Sequence, residues 1–246
     1  MITEKNTLYV ETADSTNNLL KQWAKEKNLE DGFAVYAKHQ TAGRGQKGNT
    51  WEAADGKNIT LSIYFKPQFL PVNKSFLLSE ALALGVTDAL AEYLESVEIK
   101  YPNDIYYCNK KLAGILIEND ITGTVIMQSV AGAGINVNQE TFQSNAPNPL
   151  SLKQALGKEI MIEPLLNKII NNIRLRYMQL KYVSANAIVE DYHARLYRRK
   201  GLYAYQDANQ QFNATIEKVS DDGKLHLITD TKEKRAYSFK EIIFIP

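Results

Sequence analysis

The sequence predicts an α+β protein in two parts: a larger domain over residues 1–197, in which helices and strands are interspersed, and a small barrel of short strands over 198–246. Three observations carry this expectation. The chain has 246 residues, roughly 1.6 times a typical domain of about 150, which leaves room for one large domain and a small one. Up to Tyr197, runs with apolar residues every three or four positions are interleaved with runs that alternate at every second position. Beyond Arg198-Arg199-Lys200 only short alternating runs remain.

Each element follows from local pattern. Ser15 and Thr16 are N-cap residue types, and Leu19, Leu20, Trp23, Ala24 and Lys27 follow at helical spacing until Asn28 and Gly32 end the helix. Residues 33–38 read as a strand. Residues 40–58 carry four glycines and several polar side chains and fit neither period, so they form a long loop. Ile59, Leu61, Ile63 and Phe65 then share one face, the pattern of a half-buried strand over 58–66. Leu78, Leu82, Val86, Ala89, Leu90 and Tyr93 give residues 73–94 one apolar helical face. Strands are expected at 97–101, 105–108, 111–118 and 124–133, with Asn109-Lys110 as a hairpin turn, and helices at 164–183 and 187–197. In the last part, strands at 202–205, 212–219, 225–229 and 236–239 are punctuated by Asp222-Gly223, a strong hairpin signal.

With 44% hydrophobic and 23% charged residues, the chain has the make-up of a globular protein and not of a collagen-like or disordered one. Its 29 basic and 28 acidic residues leave a net charge of +1, so no overall field draws it to nucleic acid or an anionic membrane. An anionic ligand has to be held locally. Cys108, the single cysteine, cannot form an internal disulfide, has no zinc-like Cys/His spacing around it, and points to a reducing, cytoplasmic setting. Residues 1–6 lack the apolar core of an export signal. The uncharged run over 121–139 approaches a membrane span in length, but its glycines, asparagines and β-branched residues suit a buried strand and turn.

Three segments carry chemistry. In His39 to Trp51, Gly43, Gly45 and Gly48 let backbone N–H groups turn toward an anion, and Arg44 adds a planar donor fork for a carboxylate or phosphate. Asn49 stands where a P-loop needs lysine, and no helix pattern follows, which excludes a dinucleotide fingerprint. Glycine content alone favours an ordinary surface loop. Lys100-Tyr101-Pro102-Asn103-Asp104 puts a cation, an amide and a carboxylate at a strand end, where they could hold nucleotide phosphates and Mg²⁺, or form a solvated turn. Lys111 opens a strand in which Gly114 allows a close approach, although a lysine at a strand end is also a common solubilising charge.

Taken in order, these segments resemble the biotin protein ligases. Ser15-Thr16-Asn17, the Gly-Arg-Gly loop of 40–51, Lys100 to Asp104, Lys111-Leu112-Ala113-Gly114-Ile115-Leu116 and Gly132-Ala133-Gly134-Ile135-Asn136 match five of that family's motifs, and the resemblance extends over nearly the whole chain. It implies a mixed sheet with helices of the class II aminoacyl-tRNA synthetase and biotin ligase type, followed by an SH3-like barrel. It also implies that biotin is joined to ATP as biotinyl-5′-AMP, with Mg²⁺, and passed to a lysine on the biotin carboxyl carrier domain of a carboxylase. Ser15, Thr16, Asn17, Gln40, Gly43, Arg44, Gly45, Gln46, Lys111 and Gly114 would then surround biotin, and Arg44, Asn49, Trp51, Lys100, Asn103, Asp104 and Asn136 the nucleotide, Asp104 with the metal. Arg44 and Lys111 would carry catalysis.

Two departures from the family pattern stand out: Gln46 and Asn49 replace further loop arginines of the repressor-type members, and Tyr101 replaces the usual tryptophan. The proposed chemistry needs no enzyme nucleophile, so His39, His193 and His226 are expected to be structural or solvent-facing, and Cys108 a small strand residue. Arg195, Arg198, Arg199 and Lys200 are read as a solvated helix end and not a nucleic-acid site. Ser15 lies too near the start for a preceding helix-turn-helix, which disfavours a repressor role. The resemblance leaves a homodimer open. A lipoate–protein ligase and a non-catalytic biotin sensor are the alternatives.

Overall fold

The computed structural model describes residues 6–144 and 146–246; residues 1–5, part of the segment read for an export signal, lie outside the described residues. After β1 (Thr7–Ala13), α1 (Thr16–Glu26), β2 (Ala34–Gln40) and β3 (Ile59–Phe65) come α2 (Phe76–Leu90), β4 (Glu98–Lys100), β5 (Asp104–Tyr107), β6 (Lys110–Thr122) and β7 (Val125–Ile135). The seven strands form one mixed sheet, ordered β1-β2-β3-β7-β6-β5-β4, in which β1 and β2 are parallel and the other pairs antiparallel. Short α3 (Leu152–Leu156), held by a capping box between Ser151 and Gln154, leads to α4 (Ile162–Tyr182) and α5 (Ala185–Ala194).

Helices cover both faces of the sheet, and this explains two departures from the sequence pattern. Leu20 of α1 packs with Leu29, Val35, Tyr64 and Val130 on one face, while α2, α4 and α5 close the other. β3 is therefore buried along its whole length and not half-buried: Ile59, Leu61, Ile63 and Phe65 enter the larger core, and Thr60 and Ser62, on the opposite side of the pleat, face the α1 side. For the same reason α2 is buried nearly all round, with Leu77, Leu78, Ala81, Leu82, Leu84 and Val86 all inside. Gly85 permits its crossing with α4, because a Cβ there would stand 2.5 Å from the Cα of Ile173.

Other differences are local. β1 carries no apolar alternation and is mostly exposed; its extended form comes from parallel pairing to β2. The turn between β5 and β6 is Cys108-Asn109, one residue earlier than expected, with φ of 48° and 62°. Cys108 is thus an exposed turn residue and not a strand residue. Arg195 pairs with Asp88, and the Arg198 guanidinium lies 5.2 Å from the Tyr197 ring centre and 4.9 Å from that of Tyr203, so these two are packed and not solvated. The 121–139 run is the tip and return of the β6–β7 hairpin; among the described residues no helix is long and apolar enough to cross a membrane.

Beyond Tyr197, β8 (Tyr203–Gln206), β9 (Gln211–Val219), β10 (Leu225–Thr229), β11 (Lys234–Tyr237) and β12 (Ile243–Phe244) form an antiparallel sheet ordered β11-β10-β9-β8-β12. Among the described residues its ladder ends at β11 and β12 without closing on itself. Asp222-Gly223 does lie in the turn between β9 and β10. The sheet is fastened to the larger part by polar contacts. Tyr101 Oη donates to the Gly223 carbonyl at 2.7 Å, and the Val219 amide donates to His193 Nε2 at 2.8 Å. His193 Nδ1, 2.7 Å from the Val189 carbonyl, must then carry the proton, which makes this histidine a structural bridge as expected.

Glu80 of α2 is buried with no partner for Oε2 among the described residues, and burial, with the Asp221 charge adding to it, pushes its carboxyl up to about 8. Between an unfolded value near 4.5 and that folded value, the native state holds more protons than the unfolded one, so stability falls as pH rises through this window. Glu80→Gln is expected to flatten that slope and to stabilise the protein at pH 8 by about 1–3 kcal/mol, read by denaturant unfolding at pH 5 and 8. A wild-type protein equally stable at both pH values would contradict it.

Candidate active site

A cleft of about 910 Å³ opens on the α1 side of the sheet, over the C-terminal halves of β2 and β7 and the start of β6. Small residues make its floor. A Cβ on Gly132 would stand 2.4 Å from Asn17 Oδ1, and one on Gly134 would stand 2.2 Å from the Trp51 ring, so both glycines are required by close approach. Trp51, from the loop after β2, lies flat in this gap and also touches the Gly114 position.

One end of the cleft is a polar chain built from the start of α1. Ser15 occupies the N-cap position, but its hydroxyl does not close the cap. Gln40 Oε1 accepts instead from the Thr16 amide at 2.7 Å and from Thr16 Oγ1 at 3.1 Å. Ser62 Oγ lies 2.7 Å from Thr16 Oγ1 and 2.6 Å from Asn17 Oδ1, and Asn17 Nδ2 donates to Glu118 Oε2 at 2.9 Å. Gln40, Thr16, Ser62, Asn17 and Glu118 are therefore one hydrogen-bonded network in which Asn17's amide is engaged at both ends.

The glycine loop is tied internally. The Gly45 amide donates to the Asn49 carbonyl at 2.7 Å and the Trp51 amide to the Gly43 carbonyl at 3.0 Å, which makes a small hairpin with Arg44 opposite Thr50. Gly43 lies behind the cleft wall, where a Cβ would meet the Trp51 carbonyl at 2.4 Å. Arg44 donates to Glu118 through two nitrogens, at 2.9 and 3.2 Å, and to Asn18 Oδ1 at 2.6 Å. Lys21 also reaches Glu118. Burial works against the charge of Glu118, but the donors from Lys21, Asn17 and Arg44 outweigh it and hold the carboxyl below the usual carboxylate value.

Toward the other end, Lys111 Nζ sits 2.7 Å from Asp104 Oδ1 and 5.8 Å from the centre of the Trp51 ring. Lys100 lies 4.7 Å from the ring centre of Tyr106 and 5.3 Å from that of Phe244, which belongs to β12; burial lowers its pKa, against the opposing pull of Asp104. Asn103 is bonded to the Ile115 carbonyl, and Asn136 donates to the Lys111 carbonyl at 3.4 Å. Three buried polar atoms on the cleft wall, Trp51 Nε1, Gln46 Oε1 and Asn136 Oδ1, have no partner among the described residues, a condition expected where a ligand completes the site.

Apart from Gly43, every residue selected from the sequence lines this cleft, drawn from segments as far apart as Ser15 and Asn136. Ser62, Asn18, Lys21, Glu118 and Phe244 were not singled out. Ser62 carried one signal, a polar residue on the solvent-assigned side of an alternating strand, and Glu118 ended the strand expected over 111–118 without a stated role.

The family model for the biotin/lipoate A/B protein ligase family matches residues 9–136. A biotin–[acetyl-CoA-carboxylase] ligase of Mycobacterium tuberculosis is 30% identical over 191 residues, covering 75% of this chain and 68% of the relative. The bifunctional ligase/repressor BirA of Bacillus subtilis is 28% identical over 240 residues, 94% of this chain and 72% of its own length. The biotin protein ligase of Aquifex aeolicus, solved with biotin and ATP, superposes with a TM-score of 0.80 over 98% of this chain and 99% of its own, and at 24% identity this shows a shared fold. With the family's motifs gathered around one cleft and its model matching more than half of the sequence, the chain belongs to the biotin/lipoate A/B protein ligase family.

Proposed function

We propose that this chain joins biotin to ATP and transfers it to a lysine on a biotin carboxyl carrier domain. The observation that carries biotin over lipoate is the polar chain of Thr16, Gln40, Ser62 and Asn17 at one end of the cleft. A ureido ring offers two N–H donors and a carbonyl acceptor that can enter such a chain, whereas a dithiolane ring offers no comparable groups. Ser15, whose hydroxyl is not spent on the helix cap, adds to that end.

Biotin laid with its ring there points its carboxylate along the glycine floor toward Lys111, and Arg44, held by Glu118 beside the ring end, turns from that contact to meet it. In the first step a carboxylate oxygen attacks the α-phosphorus of ATP, a P–O bond forms, and pyrophosphate leaves with the electrons of the broken bond. In the second, the unprotonated amine of the acceptor lysine attacks the anhydride carbonyl, AMP leaves, and the amine loses a proton as the amide forms. Arg44 and Lys111 neutralise charge on the reacting oxygens, so catalysis is positioning plus electrostatics. Lys100, Asn103, Asn136 and Trp51 form the nucleotide side. Asp104 would be the carboxylate that holds the Mg²⁺ accompanying ATP. When bound, it supplies further positive charge to the phosphates.

The same reading takes residues 198–246 as a separate, SH3-like unit that supports ATP or carrier binding; Ile242 and Phe244 at the cleft edge favour this. Removing residues after Tyr197 is expected to cut transfer to the carrier at least tenfold, provided circular dichroism shows the remainder folded; full transfer by a folded truncation would refute the role. The reaction is set in the cytoplasm, with neither nucleic acid nor membrane as partner. Mixing the protein with ATP and labelled biotin tests the function: pyrophosphate should appear before a carrier domain is added, and label should move to the carrier afterwards. No pyrophosphate would leave a binding protein, and a preference for lipoate would leave the sister activity.

A further inference from the structure

The Arg44 fork rests on a carboxylate, the same chemical group that biotin brings to it. Glu118 meets Arg44 from β6 because its position alternates with the cleft-lining Leu116 and Gly114 on the α1 side of the sheet. It takes both terminal nitrogens of Arg44, at 2.9 and 3.2 Å, in the paired geometry that guanidinium forms with carboxylates. It is also the least replaceable anion of the network, since Asn17 and Lys21 both donate to it from α1.

We propose that Glu118 is a positioning residue for Arg44: it holds the guanidinium and the glycine loop in place until a substrate carboxylate or phosphate takes its partner, and so competes with the ligand. This rests on the biotin reading above. Three features make the exchange inexpensive. Glu118 keeps Lys21 and Asn17 when Arg44 leaves, so no carboxylate is stranded. Arg44 is partly exposed and free to turn. Its other acceptor, Asn18 Oδ1, lies on the outer side of α1 and needs no replacement inside the cleft. Any contact made only in the free state is subtracted from affinity, so the latch orders the loop at the cost of weaker binding.

The test compares wild type with Glu118→Gln and Asn18→Ala, using calorimetry with biotin and limited trypsin cleavage after Arg44 without ligand. Glu118→Gln keeps one carbonyl acceptor, which Lys21 or Asn17 can use but not both, and loses the charge that pairs with Arg44. It is expected to tighten biotin binding by about two- to tenfold and to speed cleavage after Arg44 by a similar factor. Asn18→Ala, which leaves Glu118 in place, should move both readouts in the same direction by less. In an Arg44→Ala background Glu118→Gln should no longer alter affinity, because the effect passes through the guanidinium. Weaker biotin binding in Glu118→Gln, or a gain that persists without Arg44, overturns the latch. Wild type that binds no biotin sinks the biotin reading instead, and the cleavage comparison then decides the Glu118–Arg44 contact alone: equal cleavage overturns the latch.

Discussion

Arg44→Ala is expected to slow formation of the adenylate by roughly tenfold to several hundredfold while the fold stays intact. A charge-assisted hydrogen bond is worth about 1.5–3 kcal/mol, and the forked contact to a reacting anion lies at the upper end of that range. Stability should change little, because Arg44 is partly exposed and Glu118 retains Lys21 and Asn17 when the guanidinium is gone. The measurement is pyrophosphate release at saturating biotin and ATP, with thermal unfolding as the control. Normal release from the variant would remove Arg44 from the reaction.

Lys111→Gln is expected to lower the rate of the same half-reaction by a comparable factor even when biotin saturates. Its ammonium, paired with Asp104 and close to Trp51, stands in the space between the glycine floor and the nucleotide side. The charge matters most as negative charge moves onto the phosphate oxygens, so the loss should fall on kcat and not on the biotin KM. Arginine at this position would restore the charge but not the compact point geometry, and only partial recovery is expected. A variant impaired only in its affinity for the carrier would move Lys111 to the protein-docking surface.

Asp104 and Glu118 give these two predictions a common basis. Each cation expected to meet the substrate sits against a protein carboxylate, Lys111 on Asp104 and Arg44 on Glu118. The cleft is thereby poised for anions without carrying isolated buried charge, which would be costly to fold.

By itself the sequence determined most of the element types and named candidate residues that the fold brings to one cleft. The helix after Ser15, the strand over Ile59 to Phe65 and the long helix after Asn73 follow from periods that local sterics impose, and the glycine loop, Lys111 and the Gly132–Asn136 segment stand out by their order as matched motifs and not by residue type alone. What it left undecided depended on neighbours distant in the chain. β1 is a strand because β2 offers it hydrogen bonds, and β3 and α2 are buried on all sides because helices cover both faces of the sheet. Ser62 looked like a solvent-side residue until α1 was laid across it. Glu118 is 74 residues from Arg44, and nothing in either segment names the other as its partner. Local pattern records which groups a segment carries and which way they alternate, but the pairing of charges is set by the sheet order that brings β6 beside β7, a strand that α1 packs on, and that order exists only once the chain has folded.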